Sequence, residues 1–213
     1  ELCQAIGESE LPVIIQVVDD GSPGDEPETL KSIVTGLREK FSFLNKPLLL
    51  KGNLGKGGAI RAGWDSGNGF GHLAFVDADG AVPAAEVVRV LNGAEAETVY
   101  LAVRDSENTP NLERALSRKI VARIFNWLIR IRYAIRISDT QCGFKIIPES
   151  FYLSVREQLV QRGYAFDLEL ILLAKKSGCS IKTVPVEWTE MPGGTTNLKD
   201  GLTFLKQLIK HSI

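Results

Sequence analysis

No run of about 18 uninterrupted apolar residues occurs in the 213-residue chain, so no membrane-spanning helix is expected. The first residues do not read as a secretory signal. Cysteine is scarce. Cys3, Cys142 and Cys179 are far apart, odd in number and without Cys-x-x-Cys spacing, which indicates neither a disulfide framework nor a zinc site and suits a reducing compartment. Charge of either sign is not in excess: 25 Lys and Arg against 26 Asp and Glu leave a net −1, which gives no global attraction to nucleic acid. No low-complexity segment and no internal repeat is present. The chain as given reads as soluble or peripheral, of a size for one α/β domain with a small annex.

The apolar residues that are present follow a pattern. Leu11–Val18 (LPVIIQVV) is a short β-branched run that stops at the turn formers Asp19-Asp20-Gly21-Ser22, which predicts a buried strand ending in a polar loop. Glu28–Phe41 carries Leu30, Ile33, Val34, Leu37 and Phe41 at the three-and-four spacing of an amphipathic helix. Pro47–Leu50 predicts another brief strand, Ala59–Trp64 a helix, His72–Val76 a strand, Pro83–Leu91 a helix and Thr98–Val103 a strand. This alternation implies an α/β fold with a mostly parallel sheet covered by helices on both faces. After Arg104 an annex is expected: a helical stretch over Leu112–Tyr133, a polar loop over Ser138–Lys145, a helix over Ala165–Lys176, a strand over Ile181–Trp188 and a terminal helix from Leu198. In such sheets ligands bind beyond the carboxyl ends of strands, where Asp19-Asp20 and Asp77-Ala78-Asp79 both fall.

Asp77 and Asp79 are two residues apart at a strand end, where departure from regular pleating lets both reach one hard cation. A nucleotide diphosphate needs such a cation, Mg²⁺ or Mn²⁺, to offset the charge that develops on its leaving phosphate. A solvated turn is the alternative reading of an isolated Asp-x-Asp. Asp19 and Asp20 would emerge on the same edge, to accept from a uracil imide or a ribose hydroxyl, or to cap a helix. Gly52–Gly58 (GNLGKGG) looks like a phosphate cradle, but the Walker pattern fails at Leu50 and at Gly57. Its glycines permit close backbone approach to a ligand with Lys56 beside a diphosphate, or simply a tight βα turn.

Taken in order, VVDDGS, GNLGKGGAIRAG, FVDADG, SDTQCGFK, YAFDLEL and VPVEWTE resemble glycosyltransferase family two over essentially the whole chain. The closest likeness is to the dolichyl- or polyprenyl-phosphate sugar synthases, and DTQCGFK with Trp188 leans toward the glucosyl branch. The resemblance implies a GT-A, Rossmann-like fold in a single domain over 1–213, with a nucleotide-sugar half at about 1–104 and an acceptor half at about 105–213. It places Asp19 and Asp20 at the nucleoside, Gly55, Lys56 and Gly57 along the donor pocket, and Asp77 with Asp79 at the metal and diphosphate. The loop Asp139–Phe144 would face the acceptor and the reacting sugar, with Asp79 and Asp139 as candidate catalytic residues. One departure is plain: family members open with a strand and a Tyr-Asn-Glu-like loop, which nothing upstream of Glu1 supplies. Glu1–Ile6 would then be the helix after that strand, and the chain given is expected to be truncated or to lack that segment.

From Arg114 to Arg136 seven basic residues, Arg118 and Lys119 among them, occur without an acidic one, opposite an apolar side that includes Ile120, Ile124 and Leu128. Such a helix docks on the sheet or lies on an anionic membrane. In the enzymes this chain resembles, arginines of this region grip an acceptor phosphate, which marks Arg104, Arg114 and Arg118. A second stripe, Leu198, Leu202, Leu205 and Ile209 beside Lys199, Lys206 and Lys210, adds to the expectation of a peripheral protein at the cytoplasmic face of a membrane. The expected partners are a nucleotide-diphosphate sugar, a polyprenyl-phosphate lipid and a membrane surface, and not nucleic acid.

The expected reaction is one inverting displacement at the anomeric carbon, with UDP as leaving group. An acceptor phosphate is already ionised, so Asp139 would orient acceptor or sugar, whereas a hydroxyl acceptor would require it as base. Asp167 and Glu169 would cap their helix or stand behind the site. Two rivals stay open: transfer to a saccharide or another lipid, and a non-catalytic nucleotide-sugar-binding module. A sugar nucleotidyltransferase would want an N-terminal glycine-rich triphosphate loop, and none is visible.

Overall fold

The computed structural model describes residues 1–104, 139–163 and 165–189. In chain order these form α1 (Leu2–Ser9), β1 (Val18–Asp19), α2 (Glu26–Arg38), β2 (Leu48–Leu49), α3 (Lys56–Asp65), β3 (His72–Val76), α4 (Ala84–Asn92) and β4 (Thr98–Arg104). They continue as β5 (Phe144–Pro148), α5 (Glu149–Val155), α6 (Ala165–Lys176) and β6 (Ser180–Val186). The helices expected over Leu112–Tyr133 and from Leu198, and with them Arg114 and Arg118, lie outside the described residues. Among the described residues no helix is long and apolar enough to cross a membrane.

The expected α/β architecture is present, in two sheets, with strand pairing that is mixed and not mostly parallel, because β5 runs antiparallel to both its neighbours. β1 and β2 pair in parallel, Val18 opposite Leu48 and Asp19 opposite Leu49. The strand expected over Leu11–Val18 is shorter in the structure, reduced to a bridge at Ile15–Leu44 and then β1. Between those two pairings one chain advances three residues and the other four, and Pro47 within the longer side has no N–H to offer. The Gln16 amide fills the gap, donating to the carbonyls of Lys46 at 2.8 Å and Val17 at 3.0 Å.

The second sheet has the order β3-β5-β4-β6. β4 and β6 are parallel, from Thr98 opposite Ser180 to Arg104 opposite Val186. β5 is antiparallel to both β3 and β4. This strand begins inside the stretch expected as a polar loop, and it is the element that local βα alternation did not reveal. Its direction has a consequence for the site. With Val76 opposite Phe144, the chain entering β5 arrives at the edge where β3 ends, so Asp139–Gly143 and Asp77–Asp79 share that edge.

Strand side chains alternate between two cores. Val99 and Leu101 of β4 face Trp64, Phe151, Phe166 and Ile171 of α3, α5 and α6, whereas Tyr100 and Ala102 face Val87 and Val90 of α4. Phe166 is fully buried, so truncating it to alanine would cost about 3–5 kcal/mol. Trp64 packs edge-on against Tyr152 at 5.0 Å between ring centroids, and its indole N–H donates to the Ala74 carbonyl at 3.1 Å. The Tyr152 hydroxyl donates to Asp65 at 2.7 Å. These contacts fix α3 to β3 and α5, and α3 begins with Lys56.

Candidate active site at the strand ends

Asp19 and Asp20 leave β1 as expected, and both are engaged locally. Asp19 is buried and accepts from the Ser22 hydroxyl at 2.5 Å and the Ser22 N–H at 3.1 Å; these bonds, the hydroxyl first, hold its carboxyl below the ordinary value. The Asp20 carboxylate accepts the Leu54 N–H at 2.7 Å and the Gly55 N–H at 2.8 Å. Asp20 thus clamps the glycine-rich loop to the end of β1, a role not foreseen for it. What the loop demands of its glycines is close packing. Gly55 has φ 77°, and a Cβ there would lie 2.6 Å from the Arg162 carbonyl oxygen. A Cβ on Gly57 would meet Phe166 at 2.5 Å, and the Gly57 N–H already donates to the Arg162 carbonyl at 2.7 Å. The capacity of this helix start to hold an anion therefore resides in the Lys56 ammonium rather than in the Gly57 N–H.

Lys56 reaches across to β3 and α6. Its Nζ lies 3.2 Å from Asp77 Oδ1, 3.3 Å from Asp77 Oδ2 and 3.3 Å from Asp167 Oδ2. Burial would lower the Lys56 pKa, but the charges of Asp167 and then Asp77 outweigh it, so the pKa is raised and the group stays protonated. Asp77 responds differently: burial raises its pKa, and repulsion from Asp167 and Asp79 adds to this, against the attraction of Lys56. Asp79 turns one oxygen to the Ala81 N–H at 3.0 Å. The carboxylates around Asp77 exceed the ammonium that faces them, and hard oxygen ligands in excess suit a hard divalent cation. Among the described residues no group of three or more His, Cys, Asp or Glu could hold a metal unaided. Two carboxylates with the remaining ligands from a diphosphate is the arrangement Mg²⁺ ordinarily takes. The fit is close on one side, since a Cβ on Gly143 would stand 2.2 Å from Asp77 Oδ2.

Beneath this lies a pair that sequence reasoning missed or placed only loosely. Lys145 and Asp167 have side-chain exposures of 1% and 0%, and their charged atoms are 2.5 Å apart. Lys145 also donates to the Cys142 carbonyl at 2.8 Å and lies over the Phe75 ring. The available signal was a lysine inside the apolar run Phe144–Ile147, where an ionisable side chain must be paired. Glu169 instead accepts the Gln161 N–H at 2.9 Å, tying down the turn before α6.

On the far side, Arg104 at the end of β4 and Asp139 form a two-pronged pair, Nε to Oδ2 at 2.5 Å and Nη2 to Oδ1 at 3.0 Å. The Arg104 guanidinium also lies over the Trp188 ring beyond β6, at 5.2 Å. Burial would raise the Asp139 pKa, and the hydrogen bonds and charge of Arg104 outweigh it, so the carboxyl is held below its ordinary value. Cys142 in the same loop is fully buried; burial first, then the Asp139 charge, pushes its thiol up to about 11, the profile of a packing residue and not a nucleophile. Asp20, Lys56, Asp77, Asp79, Arg104 and Asp139 therefore occupy the ends of neighbouring strands or the turns that follow them.

The chain is similar to known proteins in sequence and in fold. The sequence model described as glycosyl transferase family 2 matches residues 4–155. The Saccharomyces cerevisiae protein named dolichyl-phosphate beta-glucosyltransferase is 29% identical over 213 residues, covering 92% of this chain and 63% of its own length. The Homo sapiens protein of the same name is 30% identical over 185 residues, covering 83% of this chain and 56% of its own length. The chain thus spans 56–63% of these two relatives. Among solved structures, mannosyl-3-phosphoglycerate synthase from Rubrobacter xylanophilus superposes with a TM-score of 0.51 at 14% identity, covering 98% of this chain and 75% of that one. That likeness supports the GT-A fold alone.

Proposed function

Because the chain belongs to glycosyltransferase family 2, we propose that it transfers a single glucose from UDP-glucose to the phosphate of a polyprenyl or dolichyl lipid, with inversion at the anomeric carbon. The names carried by its relatives support the sugar and the lipid. The observation that carries the choice of acceptor is the Arg104–Asp139 pair. A carboxylate held ionised by a guanidinium is a poor proton acceptor, which disfavours a hydroxyl nucleophile and suits one that arrives already charged.

Asp77 and Asp79 would hold Mg²⁺ or Mn²⁺ against the donor diphosphate, where the ion would screen the charge developing on the departing UDP. Lys56 adds a fixed positive charge beside the same phosphates, and Asp20 holds the loop that presents it. Asp19 with Asp20 lies on the side of the nucleoside. Asp139 orients the acceptor or the sugar through its fixed position against Arg104. Arg104, with Arg114 and Arg118 of the basic segment, supplies positive charge for the acceptor phosphate, and that segment rests on the cytoplasmic face of a membrane. In this reading residues up to about Arg104 make most of the donor contacts and those after it the acceptor's, with Asp167 reaching back to Lys56 on the donor side. A thermal-shift panel of UDP- and GDP-sugars with Mn²⁺ tests the donor assignment. UDP-glucose at a hundred times its Kd should stabilise the fold by about 2.7 kcal/mol; stabilisation by GDP-mannose and not by UDP-glucose would refute it.

A further inference from the structure

Lys145 stands in an inner strand of the second sheet, on the face that Ile147 shares, where its cross-strand neighbours Phe75 and Leu101 are aromatic and apolar. A buried ion pair is seldom worth its desolvation when hydrophobic residues of similar volume could replace it. Its presence calls for an explanation other than stability. The explanation lies in the second oxygen of Asp167. Oδ1 is taken by Lys145 at 2.5 Å, and Oδ2 points to Lys56, 3.3 Å away, without accepting a hydrogen bond from any of the described residues. Lys56 is thus suspended between a fully buried carboxylate, Asp167, and a partly exposed one, Asp77. A cation bound at Asp77 would compete with Lys56 for its two oxygens, which lie 3.2 and 3.3 Å from the ammonium.

We propose that Asp167, anchored by Lys145, is a positioning residue that retains the Lys56 ammonium at the donor site when Asp77 turns from Lys56 to the cation of the donor. The lysine is then handed from a carboxylate to a phosphate oxygen without leaving the site. This inference rests on the donor-site reading above. Without the Asp167 charge, Lys56 has Asp77 as its sole carboxylate within 4.0 Å among the described residues, where it competes with the metal and is drawn away from the phosphates.

Asp167→Asn alone leaves Lys145 as a buried cation without its counter-charge and destabilises the fold. The decisive variant is therefore Asp167→Asn with Lys145→Met, which removes both charges at nearly constant volume. Calorimetric titration of UDP, with and without Mn²⁺, is run on the parent and on this variant beside thermal unfolding. The inference predicts a Tm near that of the parent, UDP affinity weakened about ten- to a hundredfold in both conditions, and a higher half-saturating Mn²⁺. In a Lys56→Gln background the same pair of substitutions should weaken UDP binding no further, because the effect travels through Lys56. Parent-like UDP and Mn²⁺ affinity in the double variant, or an additive loss in the Lys56→Gln background, overturns the inference while leaving the donor site intact. Failure of the parent itself to bind UDP overturns both.

Discussion

Replacing Gly143 with alanine would displace one carboxylate and little else. The added Cβ would stand 2.2 Å from Asp77 Oδ2 and 2.5 Å from its Cγ. The carboxylate must retreat by about 1 Å to reach ordinary van der Waals contact. Gly143 is not among the glycines of positive φ, so alanine is compatible with the backbone there. Restricting the unfolded chain in this way stabilises by about 0.4–1 kcal/mol, against an overpacking cost of about 1–3 kcal/mol. The net shift in Tm is therefore a few degrees. Catalysis is far more sensitive, since a displacement of about 1 Å at a reacting site costs on the order of a hundredfold. Initial rates over a grid of UDP-glucose and Mn²⁺ concentrations, with a melting curve on the same preparation, measure both effects. The expected result is a folded protein with kcat/KM down about a hundredfold and a raised Mn²⁺ requirement. Parent-like turnover and Mn²⁺ dependence in the folded Gly143→Ala protein would refute the assignment of Asp77 to the metal and diphosphate.

Asp79→Asn should abolish transfer and weaken metal-dependent donor binding with the melting temperature preserved; unchanged turnover in the folded variant would remove Asp79 from the site. The Asp139 carboxyl is held low, so its stabilising contribution is complete above the unfolded value of about 3.9 and is lost only as pH falls through the lower folded value. Asp139 therefore contributes no titration near neutrality, and the acid limb of the rate profile should follow the second ionisation of the acceptor phosphate, at about pH 6. A limb near pH 7 that persists when the acceptor is changed would contradict this. The basic segment and the terminal stripe should bind anionic liposomes at low salt and release them as the Debye length shortens, each basic side chain near the surface contributing about 1 kcal/mol. Co-sedimentation that is absent with both anionic and neutral vesicles would show that these segments do not serve a membrane.

Sequence periodicity located the elements whose neighbours in the chain decide their conformation. β3 and α6 have the bounds that spacing and flanking turn residues indicated, His72–Val76 and Ala165–Lys176. β5 escaped because Lys145 interrupts its apolar run and its partners β3 and β4 are distant in sequence, so nothing local marks an antiparallel insertion. β1 was overestimated because a β-branched run signals strand propensity but not whether a partner such as Pro47 can complete the ladder. In the site, the acidic pairs after strands were legible from their place at strand ends. The bond from Asp20 to the glycine loop and the Lys145–Asp167 pair were not, because each joins residues that only the tertiary fold brings together. For Asp167 the sequence leaves open a helix cap or a place behind the site, and the structure gives it the second, fully buried between two lysines.

Transfer to a lipid phosphate is read most directly from the fate of labelled glucose. The protein is incubated with UDP-[¹⁴C]glucose and Mn²⁺, with dolichyl phosphate in detergent in one series and an oligosaccharide in the other. Label is expected in the organic phase only with dolichyl phosphate and Mn²⁺ present, in a product that mild acid cleaves to free glucose. Label on the oligosaccharide, with none extracted into the organic phase, would contradict it.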